Sequence, residues 1–147
     1  MTDLVEFNQI AAIDHHFCVI TTSRADGTMQ ASVVSSGVMR HPDRGDDVVV
    51  FVANGGTRKL ANLRARPQCT IVASNGGAWA AVEGTAELIG PDDPKPGVDA
   101  DALRLLLRDA FKGAGGTHDD WDEYDRVMAA DRRAVVFITP TRVYSNG

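Results

Sequence analysis

Apolar and polar positions alternate along the chain in a pattern that predicts a mainly β protein with a few helices. Near the N-terminus, Leu4, Phe7, Ile10 and Ala11 have helical spacing, which predicts a short amphipathic helix from Asp3 to Ile13. Apolar and β-branched runs, bounded by Gly, Asp, Asn or Pro, then predict strands. The predicted strands are Phe17–Thr22, Met29–Met39, Asp47–Ala53, Gln68–Ser74, Trp79–Ile89 and Ala134–Ile138, with a short run at Val143–Tyr144.

Turn and cap signals indicate how these segments connect. The pair Asp26–Gly27 favours a tight hairpin, and Gly37 is a candidate bulge position inside the second strand. A helix is predicted after the N-cap candidate Asp99, and its apolar stripe is Leu103, Leu106, Leu107, Ala110 and Phe111. A second helix is predicted after Thr117 and Asp120, which have capping-box spacing, and one face of it carries Trp121, Tyr124 and Met128.

The order of these elements predicts the architecture. Strands that are joined by tight turns favour antiparallel pairing, and these lie too close together in sequence for a repeated βαβ sheet. We therefore expect an α+β fold, an antiparallel β-barrel with helices packed outside, because closure removes exposed strand edges. A length of 147 residues suits a single domain, spanning 1–147, with its own core.

Composition narrows the class of protein further. The chain has 15 Lys and Arg against 20 Asp and Glu, a formal charge of −5, which argues against a general nucleic-acid binder. No run approaches the roughly 20 apolar residues that cross a bilayer, and no signal peptide is recognisable. Cys18 and Cys69 lie in apolar runs and predict buried free thiols in a reducing compartment. We expect a cytoplasmic protein without membrane or nucleic-acid partners.

Positive charge is concentrated between Asn54 and Pro67, against the acidic trend of the chain. A strand leads into Gly55–Gly56, Thr57 follows where a helix N-cap would stand, and Arg58 and Lys59 come next. The free N–H groups and dipole of such a helix start attract anions, and adjacent cations strengthen the attraction. This segment therefore predicts a site for a phosphorylated ligand, with a solvated basic helix as the alternative.

Other sequence features offer little chemistry. There is no dinucleotide or triphosphate loop, because the glycines at Gly113–Gly116 lie between helices. His15 and His16 would point to opposite faces of a strand, so we predict no metal site, and no nucleophile or catalytic residue can be assigned. Trp79 opens a strand after a Gly-Gly turn and is either a wall for a flat ligand or a core or interface residue.

Several motifs together resemble the split β-barrel flavin-binding superfamily, which includes the pyridoxamine 5′-phosphate oxidase-like proteins. The resemblance covers nearly the whole chain. It is carried by Thr57-Arg58-Lys59, Ala61-Asn62-Leu63-Arg64, Arg66-Pro67 and the strand WAAVEGTAE at 79–87. The tail, with THDDWDEY, MAADRR and a final VY, is similar to actinobacterial B-type reductases that use the deazaflavin coenzyme F-420. Some relatives have a basic residue where this chain has Thr57.

The resemblance implies a split β-barrel homodimer with a cofactor in each of two interface grooves. Thr57, Arg58 and Lys59 would contact the cofactor phosphate, and Asn62 would support that loop. Residues on two strands would line the ring, and Trp79 and Tyr144 would reach it from the other subunit. The ring-lining candidates are Gln30, Ser32 and Val33, within 30–34, and Val50 and Phe51, within 50–53. Arg64 or Arg66 would meet the polyglutamate tail of the coenzyme.

The implied reaction is hydride transfer from reduced F-420 to a small organic acceptor. Two other interpretations stay open on the same barrel. One is an FMN-dependent oxidase or reductase, with FMN as the alternative cofactor. The other is a non-enzymatic carrier of a flavin, a deazaflavin or a tetrapyrrole.

Overall fold

The computed structural model describes residues 3–147, which form six strands and four helices. In chain order the elements are α1 (Leu4–Ile13), β1 (Phe17–Ser23), β2 (Met29–Arg40), β3 (Asp47–Ala53), α2 (Arg58–Ala65), β4 (Gln68–Asn75), β5 (Ala78–Ile89), α3 (Ala100–Gly113), α4 (Trp121–Ala130) and β6 (Ala134–Ser145). The strands close into a barrel in the order β1-β2-β3-β6-β5-β4, with every neighbouring pair antiparallel. The predicted fold class, an antiparallel barrel within an α+β fold, is confirmed.

Side chains on β3 point alternately into two separate cores. Phe51 and its inward neighbours pack inside the barrel, where α1 contributes Phe7 and α2 contributes Leu60 and Leu63. The outward residues, including Val50, pack beneath α3 and α4. Because both faces of β3 are covered, this strand is apolar almost throughout, which explains the continuous run Val48–Val52 in the sequence.

Gly37 is not a bulge, contrary to the prediction. It pairs regularly with Val50, and its missing side chain instead lets the end of α3 approach, because a Cβ here would overlap the carbonyl oxygen of Gly113. A register shift in the barrel falls where Glu83 pairs with Arg142 and Gly84 pairs with Pro140, so Thr141 on β6 is the extra residue. Proline lacks an N–H and is tolerated at such a bulge, so β6 continues through it as one long strand.

Two further local predictions were wrong. The N-cap of α4 is Asp120, which accepts a hydrogen bond from the Glu123 N–H, so Thr117 does not form a capping box. His15 and His16 lie in the turn between α1 and β1 with positive φ, not in a strand. The His16 ring shares a hydrogen bond of 2.8 Å with the Ser36 carbonyl, and this contact fixes the turn against β2.

Both cysteines are buried and unpaired, as predicted, and burial raises the pKa of each thiol to about 12. Within residues 3–147, no helix is long and apolar enough to span a membrane. The same residues contain no group of three or more His, Cys, Asp or Glu that is arranged to hold a metal ion.

Candidate functional site

The basic segment begins α2 as the sequence predicts, with Thr57 in an extended conformation at the N-cap. The Thr57 hydroxyl does not cap the helix. It donates instead to the Asn54 carbonyl at 3.0 Å, which tightens the Gly55–Gly56 turn. Since no side chain caps α2, the N–H groups of its first turn remain available to a ligand. The positive end of the helix dipole therefore faces outward beside Lys59.

The turn between α4 and β6 packs against this segment and is hydrogen-bonded to it. The Gly55 N–H donates to the Asp131 carbonyl at 3.2 Å. A Cβ at Gly55 would overlap the carbonyl oxygen of Arg132, so only glycine permits the close approach. This contact places Arg133, the residue that leads into β6, next to the start of α2.

A groove of about 420 Å³ opens at this junction. One wall is the outer face of β2 and β3, and the opposite wall consists of apolar and aromatic side chains from α3 and α4. Lys59 and Arg133 supply its positive charge. The lining residues are Val33, Val34, Ser35, Val52, Ala53, Asn54, Thr57, Lys59, Phe111, Ala114, Tyr124, Met128 and Arg133. Its volume lies in the range of small-molecule and cofactor sites, roughly 300–1,000 Å³.

The Lys59 ammonium has no hydrogen-bond or ion-pair partner among residues 3–147. Burial lowers the pKa of Lys59, and the nearby positive charge of Arg133 lowers it further. Two like charges held close together without an anion between them disfavour each other, and a bound anion would relieve that cost. The groove therefore has the electrostatics of an anion site.

The helical wall of the groove is aromatic and is held by side-chain contacts. The Tyr124 hydroxyl donates to the Leu107 carbonyl at 2.9 Å, and burial raises the pKa of Tyr124 to about 12. Its ring lies 5.0 Å from that of Phe111. Trp121 and His118 pack against the same two rings. These contacts, mostly edge to face, form an aromatic cluster, and its Phe111 and Tyr124 rings line the groove opposite the barrel strands.

The structure brings only some of the predicted ligand contacts to the groove. Val33, Thr57 and Lys59 line it, whereas Arg58 is exposed beside it. Val50 and Phe51 are fully buried, the first beneath α3 and the second inside the barrel.

The other predicted β2 residues face the barrel interior. Gln30 accepts a hydrogen bond from the Thr22 hydroxyl at 3.3 Å. The Ser32 hydroxyl oxygen is buried and has no partner in the described part of the chain. Asn62 donates to Thr22 at 3.0 Å, so it fastens α2 to β1.

Trp79 and Tyr144 lie together on β5 and β6 but away from the groove of their own chain. Their rings meet edge to face at 6.1 Å, and the Tyr144 hydroxyl donates to Glu83 at 2.8 Å. Arg133 precedes the start of β6 and Tyr144 lies near its end, so the strand's length separates this aromatic pair from the groove.

Arg64 and Arg66 are already engaged within the chain. Both Arg64 nitrogen contacts to Asp93 are 2.8 Å long, and Arg66 donates to the Ser23 carbonyl at 2.8 Å. An anionic tail would have to compete with these partners.

Sequence reasoning missed four prominent lining residues. Phe111, Tyr124 and Met128 were visible only as apolar helix stripes, which normally indicate core packing. Arg133 was visible only as part of the motif MAADRR. No local pattern indicates that all four share one groove with Lys59.

The comparisons with known proteins agree with this fold. The family model for pyridoxamine 5′-phosphate oxidase matches residues 6–147. The chain therefore belongs to the pyridoxamine 5′-phosphate oxidase family, whose fold is the flavin-binding split barrel.

Solved structures with similar folds include the following three. The conserved hypothetical protein Rv2991 from Mycobacterium tuberculosis is 17% identical with a TM-score of 0.65, over 99% of this chain and 84% of that one. A protein described as an F-420 reductase is 16% identical with a TM-score of 0.58, over 88% and 89%. A pyridoxamine 5′-phosphate oxidase-related, FMN-binding protein from Nostoc punctiforme is 13% identical with a TM-score of 0.60, over 97% and 79%. At these identities the likeness establishes the fold alone.

Proposed function

We propose that this protein is a reductase that binds coenzyme F-420 in the groove and transfers a hydride to a small organic acceptor. The observation that carries the proposal is that Lys59, which has no hydrogen-bond or ion-pair partner among residues 3–147, lies beside an uncapped helix start in a groove with an aromatic wall. The F-420 reductase among the structural neighbours supports this cofactor. FMN is the alternative cofactor for the same groove, supported by the FMN-binding neighbour.

The residues of the groove suit a flavin-like molecule. Lys59 and the first turn of α2 would hold its phosphate, with Arg58 adding charge at the rim. The space between Val33 on β2 and the Phe111–Tyr124 wall would hold a flat ring and keep water from one side of it. Both parts of the ligand are thus matched by separate parts of the site.

Binding and orientation would be the main catalytic contribution of the chain. A reduced deazaflavin supplies the hydride, and the protein supplies position and electrostatics. The raised pKa of Tyr124 keeps its phenol protonated, and its hydrogen bond to Leu107 holds the ring in place. We assign no side chain as the proton donor to the acceptor.

A homodimer is part of the proposal. The outer face of β1 and β2 exposes apolar side chains that are costly to leave in water. They are Phe17, Val19, Met29 and Val33, and the cross-strand pair Val19 and Val33 lies at the centre of the patch. A partner covering this face would bring a second copy close to Val33, which also lines the groove, and Trp79 and Tyr144 would then approach the partner's cofactor. We further propose a single-domain protein that acts in the cytoplasm.

Fluorescence titrations with F-420 and with FMN test the proposal. We expect micromolar or tighter binding of F-420 and weaker binding of FMN. Tighter binding of FMN would identify the protein as an FMN-dependent oxidase or reductase. Binding of neither cofactor would overturn both assignments.

Turnover then separates a reductase from a carrier. Reduced F-420 should be oxidised in the presence of a panel of electrophilic acceptors. Tight binding without oxidation of the coenzyme by any acceptor would favour a carrier.

A further inference from the structure

We propose that Arg133 binds the phosphoryl group of the ligand together with Lys59, and that Asp131 competes with the ligand for Arg133. This inference rests on the proposed function, since it requires a phosphorylated ligand in the groove. It concerns a residue far from the basic segment in sequence, and it assigns a role to the α4–β6 turn.

Arg133 occupies a rigid position at the edge of the groove. The next residue, Ala134, pairs with Ala53, and Val135 pairs with Val52. The preceding turn is locked to Gly55 by the hydrogen bond from the Gly55 N–H to the Asp131 carbonyl and by the contact with Arg132. The backbone of Arg133 is therefore fixed next to the strand end that leads into the anion site.

The charge of Arg133 acts directly on that site. Arg133 lines the groove together with Lys59, and it contributes to the lowered pKa of Lys59. Repulsion between the two cations costs free energy when no anion lies between them. A phosphoryl group placed between them would accept hydrogen bonds from both and reverse the sign of the interaction.

The existing partner of Arg133 is held only loosely. Two nitrogens of Arg133 approach a single oxygen of Asp131, at 3.3 and 3.2 Å. By contrast, Arg64 donates hydrogen bonds to both oxygens of Asp93, each at 2.8 Å. An arginine–carboxylate pair that uses both oxygens is stronger than one that uses a single oxygen. The weaker pair with Asp131 therefore leaves the Arg133 guanidinium available to a stronger acceptor.

Asp131 has no other side-chain hydrogen bond within residues 3–147 that would explain its presence. Its carboxylate partly neutralises Arg133 in the ligand-free protein. The same carboxylate opposes phosphate binding, so its removal should strengthen that binding.

A structural role is the competing explanation, because Arg133 also lines a smaller cavity between α3 and α4 together with Met128. If Arg133 only supported α4, its replacement would affect phosphorylated and unphosphorylated ligands equally. The ratio of the two affinities therefore separates the explanations.

The experiment measures the affinity of the full chain for FMN and riboflavin, which differ only in the phosphate, and for F-420 and its deazariboflavin precursor, which lacks the phosphate together with the polyglutamate tail. The variants are Arg133→Gln, Arg133→Lys and Asp131→Asn. Arg132→Gln is the matched control, since Arg132 pairs with Asp92 at the surface and does not line the groove. Circular dichroism and thermal melting establish that each variant is folded.

We expect Arg133→Gln to reduce the preference for the phosphorylated ligand by about 10-fold or more, with the affinity for the unphosphorylated ligand unchanged. Arg133→Lys should restore part of the preference, Asp131→Asn should increase it, and Arg132→Gln should leave it unaltered. The ligand pair that the protein binds, either FMN and riboflavin or F-420 and its precursor, shows which cofactor supplies the phosphoryl group.

An unchanged preference in Arg133→Gln, or an equal loss for both ligands of a pair, would overturn the inference while the proposed function stands. Wild-type protein that binds none of the four ligands would overturn the proposed function, and the inference would fall with it.

Discussion

Replacing Lys59 by methionine should remove most of the phosphate affinity of the groove and leave the fold intact. Methionine keeps the unbranched shape of the lysine stem, so the substitution removes the charge and little packing. A hydrogen bond to a charged group contributes about 1.5–3 kcal/mol. That range corresponds to a roughly 10- to 150-fold increase in the Kd of a phosphorylated cofactor.

The structure also predicts the effect of this substitution on the ligand-free protein. Burial and the charge of Arg133 both lower the pKa of Lys59, so the protonated form is disfavoured in the folded state. A folded-state pKa below the unfolded value means that the protonated lysine reduces stability, and that this cost fades as the pH rises through the lowered pKa. Lys59→Met should therefore raise the melting temperature at neutral pH without ligand.

Two measurements check this prediction together: fluorescence titration for cofactor affinity and thermal melting in the absence of ligand. Arg126→Met is a matched control, because Arg126 is an exposed cation on α4 that does not line the groove. Lys59→Met with wild-type affinity would refute the phosphate assignment. A lowered melting temperature would refute the claim that the half-buried charge of Lys59 is destabilising.

Three further predictions follow from particular contacts. Gly55→Ala should destabilise the fold by about 1–3 kcal/mol, measured by urea denaturation, because the new methyl group would overlap the Arg132 carbonyl; unchanged stability would contradict the close packing of this turn. Burial raises the pKa of Glu87, but hydrogen bonds from His41 and Lys95 outweigh that effect and hold the pKa below its ordinary value of 4.5. The stability of the fold should therefore fall as the pH drops through that lowered pKa. In Glu87→Gln, the melting temperature should depend less on pH in this acid range. If the melting temperatures of the wild type and the variant fall equally as the pH drops, that result would argue against this role of Glu87. Val33→Asp should convert the proposed homodimer to a monomer in sedimentation experiments, because 63% of this apolar side chain is exposed in the single chain; an unshifted mass would place the interface elsewhere.

Several parts of the site were predictable because their determinants are local in sequence. The strand end, glycine turn and helix start around Thr57 and Lys59 are contiguous, and each follows from backbone preferences over a few residues. The antiparallel barrel was predictable for a similar reason, since short turns and apolar runs leave few ways to pair the strands. The prediction for Gly37 was wrong because its cause is a distant helix, and the residues of the strand itself carry no sign of that helix.

By itself, the sequence determined the segments of the chain and the closed antiparallel fold, and it predicted an anion site at the start of α2. Only the tertiary structure decided what faces that site. The lock between Gly55 and the α4–β6 turn brings Arg133 to Lys59, and the packing of α3 and α4 over β3 turns two apolar stripes into the groove wall. The physical reason is that hydrogen-bond and periodicity rules act between near neighbours, whereas a binding groove depends on contacts between segments that meet only when the barrel closes.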